Sequence, residues 1–355
     1  MKILLANPRG FCAGVYMAID VVDQLLELCE GKPIFVYHEI VHNRHVVQRF
    51  RDRGVAFVES IDEIPAGSIV VFSAHGVSPA VRAEARAKNL TSIDATCPLV
   101  MKVHAEAIRF AKRGWQILLV GHREHQEVVG TQGEAPDAIQ VVEKPADIAR
   151  LSIIDPDKLI YLTQTTLSMD DANVVISALK KAFPNLHEPP SSDICYATTN
   201  RQIAVRTIAP EADLVLVVGS KNSSNSVRLT EISQNDGTPS RLIDDASEID
   251  PAWFEGVKTV LLTSGASAPE DLVFGVIETL ITRFGGEVEQ RDVFDERVEF
   301  GLPGTLKELM RAKGIDPDSR RIRIDREADT TAWLERKHIP NRTVQVSIRE
   351  TDNLL

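Results

Sequence analysis

Three of the four cysteines stand in the same kind of place. Cys12 lies in RGFCAGVYMA, Cys97 in DATCPLVMKV and Cys195 in DICYATTNRQ. Each ends a short polar segment and opens a helix-like run. A thiol at a helix N-terminus is favoured as thiolate by the helix dipole and suits metal ligation. Three thiolates with no further cysteine beside them leave one coordination position open, which marks a catalytic centre rather than a closed structural one. No C-x-x-C pair is present, so neither zinc nor an iron–sulfur cluster has its usual local signature. Spacing alone does not separate zinc from a [4Fe–4S] cluster. Cys29 falls on the apolar face of a helix and reads as a small buried hydrophobe.

Two further sets of residues keep step with the cysteines. The polar clusters HEIVHNRH, GHREHQE and GSKNSSNS each follow an apolar, strand-sized run. His42 comes 30 residues after Cys12, His125 comes 28 after Cys97, and Ser223 comes 28 after Cys195. The segments IVVFSAHGVS, LIYLTQTTLS and VLLTSGASAP then put His75, Thr165 and Ser267 at strand ends. The hydroxyl and amide donors of SKNSSNS, at an expected helix N-terminus, suit a phosphate or diphosphate. His38, His45, His104, His122, His187 and His338 have no matched position and read as surface or hydrogen-bonding residues.

The elements that must position these residues follow from periodicity. Val15, Ile19, Val22, Leu26 and Cys29 recur at helical spacing after Cys12, and Gly31 closes that helix. Pro98 takes the first-turn position of a helix after Cys97, with Gly114 past its end. After Cys195, Thr199 or Asn200 is the expected cap. One α/β unit thus repeats three times, at roughly 85 to 100 residues per unit, too long for a solenoid. The expected fold is α/β, with three pseudo-repeated lobes and parallel sheets: 1–95 with Cys12, 96–193 with Cys97, 194–285 with Cys195, and a C-terminal segment 286–355. Ligands bind at the carboxyl ends of parallel strands, so the three lobes are expected to face one centre.

Composition narrows the function. The 355 residues are 43% hydrophobic and 26% charged, with a net charge of −11. That balance suits a globular protein and argues against general nucleic-acid binding, which needs a basic face. An anionic ligand would need local donors working against the overall field. No apolar run is long enough to span a membrane, no signal-peptide core follows the N-terminus, and four scattered cysteines do not make a disulfide scaffold. A cytoplasmic location is expected.

The segments ILLANPRGFCAGV, HEIVHNRHVV, FSAHGVS, DATCPLV, TQTTLS, DICYATTNRQ, VVGSKNSSNS and GASAP, in this order, resemble the 4-hydroxy-3-methylbut-2-enyl diphosphate reductase family over about residues 1–302. The resemblance implies three lobes around a [4Fe–4S] cluster held by Cys12, Cys97 and Cys195, with one iron open to the substrate hydroxyl. It implies a diphosphate held by His42, His75, His125, Ser223, Ser224, Asn225 and Ser267. Thr165 would lie near the substrate hydroxyl, and Glu127 would belong to the proton relay with His125 nearby. The implied reaction takes two electrons and two protons, expels water and yields isopentenyl and dimethylallyl diphosphates. The implied electron donor is a ferredoxin- or flavodoxin-type protein. Two departures stand out. The family's usual GHPE reads EHQE here, with Gln126 for proline, and Val129 stands where an acidic residue is common. Residues 303–355 also run past the family core, carrying a possible helix and strand for core packing, a partner or oligomerisation. From the residues alone, a zinc-dependent hydrolase of a phosphorylated substrate and a non-catalytic iron–sulfur sensor remain alternatives.

Overall fold

A computed structural model of the chain describes residues 1–318 and 330–347. The chain opens with β1 (Lys2–Asn7) and runs through Cys12 into α1 (Ala13–Leu28). The first lobe continues as β2 (Ile34–Tyr37), α2 (Arg44–Asp52), β3 (Val55–Val58), β4 (Ile69–Phe72), α3 (Pro79–Ala87) and β5 (Thr91–Asp94). The second holds α4 (Pro98–Ala111), β6 (Gln116–Val120), α5 (Gln126–Glu134), β7 (Ile139–Val142), β8 (Leu159–Thr163) and α6 (Met169–Ala182). The third holds α7 (Tyr196–Ile208), β9 (Leu214–Val218), α8 (Ser224–Asn235), β10 (Ser240–Ile243), β11 (Thr259–Ser264), α9 (Glu270–Phe284) and β12 (Glu287–Asp292).

The strands form three sheets, ordered β3-β2-β4-β5, β7-β6-β8, and β10-β9-β11-β1-β12 with a last edge strand, β13 (Asn341–Gln345). All named pairings are parallel. In the second sheet, His187 bridges Ile160 and marks a fourth position beside β8. The division at residues 1–95 does not follow the hydrogen bonding. β1 lies in the third sheet, with Leu4 opposite Leu261 on one side and Glu289 on the other. Ile3, Leu4, Leu5 and Ala6 are all fully buried, and a strand apolar on both faces needs an interior place in a sheet covered on both sides.

This placement makes the repeat cyclic. β5 leaves the first sheet beside β4 and leads to Cys97. The chain at His187 leaves the second sheet beside β8 and leads to Cys195. β1 leaves the third sheet beside β11 and leads to Cys12. Each cysteine therefore starts a helix of one lobe from the strand of the lobe before it.

The helices pack where their apolar stripes point. The buried face of α1 is Val15, Ala18, Val21, Val22 and Leu25, set against Val36 and Val71 of the first sheet, while Ile19 and Leu26 lie at its edge. Cys29 is buried in the same cluster, as its position on the apolar face predicts. Past residue 302 two described helices pack on the core. In α10 (Gly304–Ala312), Leu306 and Met310 are fully buried against α1 and β5. In α11 (Thr330–Arg336), Leu334 enters the core of the third lobe and Trp333 stacks on Phe274 at 4.7 Å between ring centroids. Among the described residues no helix is long and apolar enough to cross a membrane.

Candidate functional site

Each cysteine is the residue just before a helix and has non-helical backbone: φ/ψ of −85°/168° at Cys12, −56°/132° at Cys97 and −71°/150° at Cys195. This corrects the expected cap of α7. Thr199 and Asn200 lie inside its first turns, and the Cys195 carbonyl accepts the N–H groups of Thr198 and Thr199 at 3.0 Å. None of the three thiols caps its own helix, so the sulfurs are left for other work. The junctions share one backbone bond. Cys97 N–H donates to Ala74 O at 3.0 Å, Cys195 N–H to Thr165 O at 3.0 Å, and Cys12 N–H to Ala266 O at 3.1 Å. Each acceptor lies two residues beyond its strand, so the three cysteines are pinned to the carboxyl ends of β4, β8 and β11.

The result is one cavity of about 100 Å³. Cys12, Cys97 and Cys195 line it, as do His42, His75, His125, Glu127, Thr165, Ser223, Ser224, Asn225 and Ser267. Every residue singled out from the sequence is thus brought to the same space. Six helix N-termini point there: α1, α4 and α7 through the cysteines, and α2, α5 and α8 through the polar clusters. Their partial positive charge allows negative groups to gather in a chain of net charge −11.

At the sulfur end, burial pushes the Cys195 thiol up to about 11, with Cys12 adding to the effect and Thr198 opposing it. Burial raises the Cys97 thiol too, again reinforced by Cys12. With both of these thiols raised, Cys97 and Cys195 need a cationic centre nearby before they can be thiolates together. Gly14 shows how closely they gather. A Cβ there would stand 2.6 Å from Cys97 Sγ and 4.0 Å from Cys12 Sγ, so the space of an alanine methyl is held open beside two sulfurs. Yet among the described residues no three His, Cys, Asp or Glu side chains converge on a single-ion site. A donor set of three soft sulfurs fits an iron–sulfur cluster.

At the other end three imidazoles meet. The rings of His42 and His75 stack at 4.0 Å, and His125 stands edge-on to both at 5.3 and 6.0 Å. Burial holds His75 well below the usual imidazole range, and burial with His42 takes His125 down to about 3, so both are neutral at pH 7. His125 caps α5, its Nδ1 accepting Glu127 N–H at 3.2 Å, which leaves the proton on Nε2. Glu39 ties His42 (3.3 Å) to Asn222 of the third lobe (2.7 Å). Ser267 Oγ donates to His42 O at 2.9 Å and lies 3.4 Å from Ser223 Oγ.

Glu127 is only 2% exposed. Its Oε1 accepts Thr165 N–H at 2.6 Å and its Oε2 accepts the Thr165 hydroxyl at 3.0 Å. Burial pushes its carboxyl up to about 7, against the pull of those two bonds. It is the second residue of α5, and Gln126, in place of the family's proline, is the first. The loop keeps His125 and Glu127 in the cavity regardless, while Val129 faces outward, 52% exposed.

Residues 3–281 match the family model described as LytB protein. The chain belongs to the LytB family. A LytB relative from Mycobacterium sp. (strain JLS), named 4-hydroxy-3-methylbut-2-enyl diphosphate reductase, is 54% identical over 307 residues, covering 86% of this chain and 92% of its own. The solved E-1-hydroxy-2-methyl-but-2-enyl-4-diphosphate reductase from Plasmodium falciparum superposes with a TM-score of 0.86 at 39% identity, covering 88% of this chain and 99% of that one. A second solved structure is named (E)-4-hydroxy-3-methyl-but-2-enyl diphosphate reductase, the terminal enzyme of the non-mevalonate pathway. It matches with a TM-score of 0.57 at 32% identity, covering 79% and 99%.

Several residues of this LytB site were not singled out from sequence. Gly14 clears space for a sulfur, and its only signal is its place two residues after Cys12. Thr198 stands 3.2 Å from Cys195 Sγ, three residues on, where one helical turn brings a side chain back. His104, read as a surface or hydrogen-bonding residue, is the latter: it is 2% exposed and bonded to Glu134 at 2.9 Å behind the His75 loop.

Proposed function

We propose that this chain reduces (E)-4-hydroxy-3-methylbut-2-enyl diphosphate to isopentenyl and dimethylallyl diphosphates, taking up two electrons and two protons and releasing water. The observation that carries the reading is one cavity with three thiols at one end, neutral donors at the other, and a single buried acid, Glu127, between them. Cys12, Cys97 and Cys195 would hold a [4Fe–4S] cluster, which would supply the electrons and a Lewis acid for the allylic hydroxyl.

The protein's own groups do the rest. Ser223, Ser224 and Asn225 offer hydroxyl and amide donors at the N-terminus of α8, Ser267 adds a hydroxyl from the segment after β11, and His42, His75 and His125 offer imidazole N–H groups. Together they hold a diphosphate without a lysine cluster. Loss of an allylic hydroxyl as hydroxide is unfavourable, so a proton must reach that oxygen. Glu127, near 7, is about half protonated at neutral pH and is matched to that task. Thr165, bonded to Glu127 through both its N–H and its hydroxyl, orients the acid and passes the proton on. A ferredoxin- or flavodoxin-type protein delivers the electrons.

The test is anaerobic turnover with dithionite-reduced viologen. The expected result is viologen oxidation with both isomeric products, by a brown protein containing acid-labile sulfide. A colourless zinc protein that hydrolyses the diphosphate, or a brown one without turnover, would overturn the reading.

A further inference from the structure

Among the described residues, the largest fully buried side chain is a cation. Arg201, on α7, is 1% exposed. Its Nη1 donates to Ala197 O at 2.9 Å and to both oxygens of Glu296 at 3.2 and 3.3 Å. Its Nη2 donates to Gly10 O at 2.9 Å and Arg9 O at 3.4 Å. Gly10 lies two residues before Cys12, and Ala197 two residues after Cys195. One guanidinium therefore staples two of the three cysteine junctions from behind, and only its Nε lacks a partner.

Glu296 reaches this site from the segment after β12. Its side chain is 14% exposed and is also bonded by Asn200 at 3.0 Å. Between the pair and the sulfurs stands Tyr196, whose hydroxyl accepts Ala13 N–H at 3.4 Å. Tyr196 and Glu296 line one cavity together with Ala13, the residue after Cys12. The neighbouring Arg9–Glu270 pair, at 2.7 Å, is separately neutral.

We propose that Arg201 and Glu296 form a buried charge pair that holds the Cys12 and Cys195 junctions together and sets the reduction potential of the centre they build. The inference rests on the iron–sulfur reading above. A cluster that gains an electron gains negative charge, so nearby fixed charge biases the reduced state. A buried charge is poorly screened by salt and acts further than a surface one. Because Arg201 cannot lose its proton, its charge is constant. The two partners therefore have opposite effects when removed singly.

The full-length protein, reconstituted anaerobically, is titrated potentiometrically while the reduced-cluster EPR signal is followed. Arg201→Met leaves Glu296 unbalanced and is expected to lower the midpoint. Glu296→Gln leaves Arg201 unbalanced and is expected to raise it. The double variant is expected near wild type. Arg201→Lys keeps the charge but cannot reach both carbonyls and the carboxylate at once, so its midpoint stays near wild type while iron occupancy falls. Should Arg201→Met load no cluster, Glu296→Gln and Arg201→Lys still decide the sign. An unchanged or lowered midpoint in Glu296→Gln, or shifts of one sign in all variants, would overturn the proposal alone. A wild-type protein with no iron–sulfur signal would overturn the proposal together with the reading it rests on.

Discussion

The second and third lobes make the same bond with different chemistry. In each, the second residue of a helix accepts the N–H of the residue two past the neighbouring strand. In the second lobe this is Glu127 accepting from Thr165 at 2.6 Å, and in the third it is Asn225 accepting from Ala266 at 3.0 Å. The first lobe lacks the bond, and Ala74 N–H goes to Ile40 O at 3.1 Å instead. The amide does the structural part of the job as well as the carboxyl does. What the carboxyl adds is a proton. The repeat thus supplies one scaffold three times, and the site gets its direction from what differs: an acid in lobe two, neutral donors in lobe three, imidazoles in lobe one.

That comparison can be broken by exchanging the two chemistries. Glu127→Gln makes lobe two resemble lobe three. Turnover is expected to fall by about 10²- to 10⁴-fold with KM little changed, as kinetics under saturating reductant would show. Near-normal turnover would move the proton source to another group. The same variant sharpens the comparison through stability. Glu127's folded pKa, about 7, lies above the ordinary carboxyl value of 4.5. Its contribution is therefore fully present below about pH 4.5 and is lost as pH rises through about 7, by at most about 3 kcal/mol. Wild type should lose Tm between pH 5 and 8 relative to Glu127→Gln, and parallel curves would contradict the burial of a neutral acid.

The reverse exchange, Asn225→Asp, puts a carboxylate among the diphosphate donors. Repulsion at close range is expected to raise KM by about 10-fold or more while leaving the cluster spectrum intact, and titration calorimetry with pyrophosphate would check it. The smallest effect is expected from Ser267→Ala. It removes one neutral hydrogen bond to His42 O, worth about 0.5–1.5 kcal/mol, and should weaken substrate binding only severalfold.

The chemistry of the site was legible because the chain states it three times in local segments. Cys12, Cys97 and Cys195, and the polar clusters 28 to 30 residues on, keep register by spacing alone. What was not legible depends on partners distant in sequence. β1 reads as a strand anywhere, but nothing local says that Leu4 pairs with Leu261. Arg201 reads as one more polar residue in a helix, because Glu296, which balances it, lies 95 residues away. His104 gives no sign of burial until Glu134 is found beside it. The cap of α7 was misplaced because Thr199 and Asn200 are good capping residues, whereas the backbone turns helical at Tyr196, just after the cysteine.

The claim that three junctions build one centre is tested most directly by counting iron and acid-labile sulfide in single Cys→Ser variants after anaerobic reconstitution. Wild type and Cys29→Ser should hold about four of each per chain, and Cys12→Ser, Cys97→Ser and Cys195→Ser should each lose most of it. Full occupancy in any of those three, or loss in Cys29→Ser alone, would contradict the account.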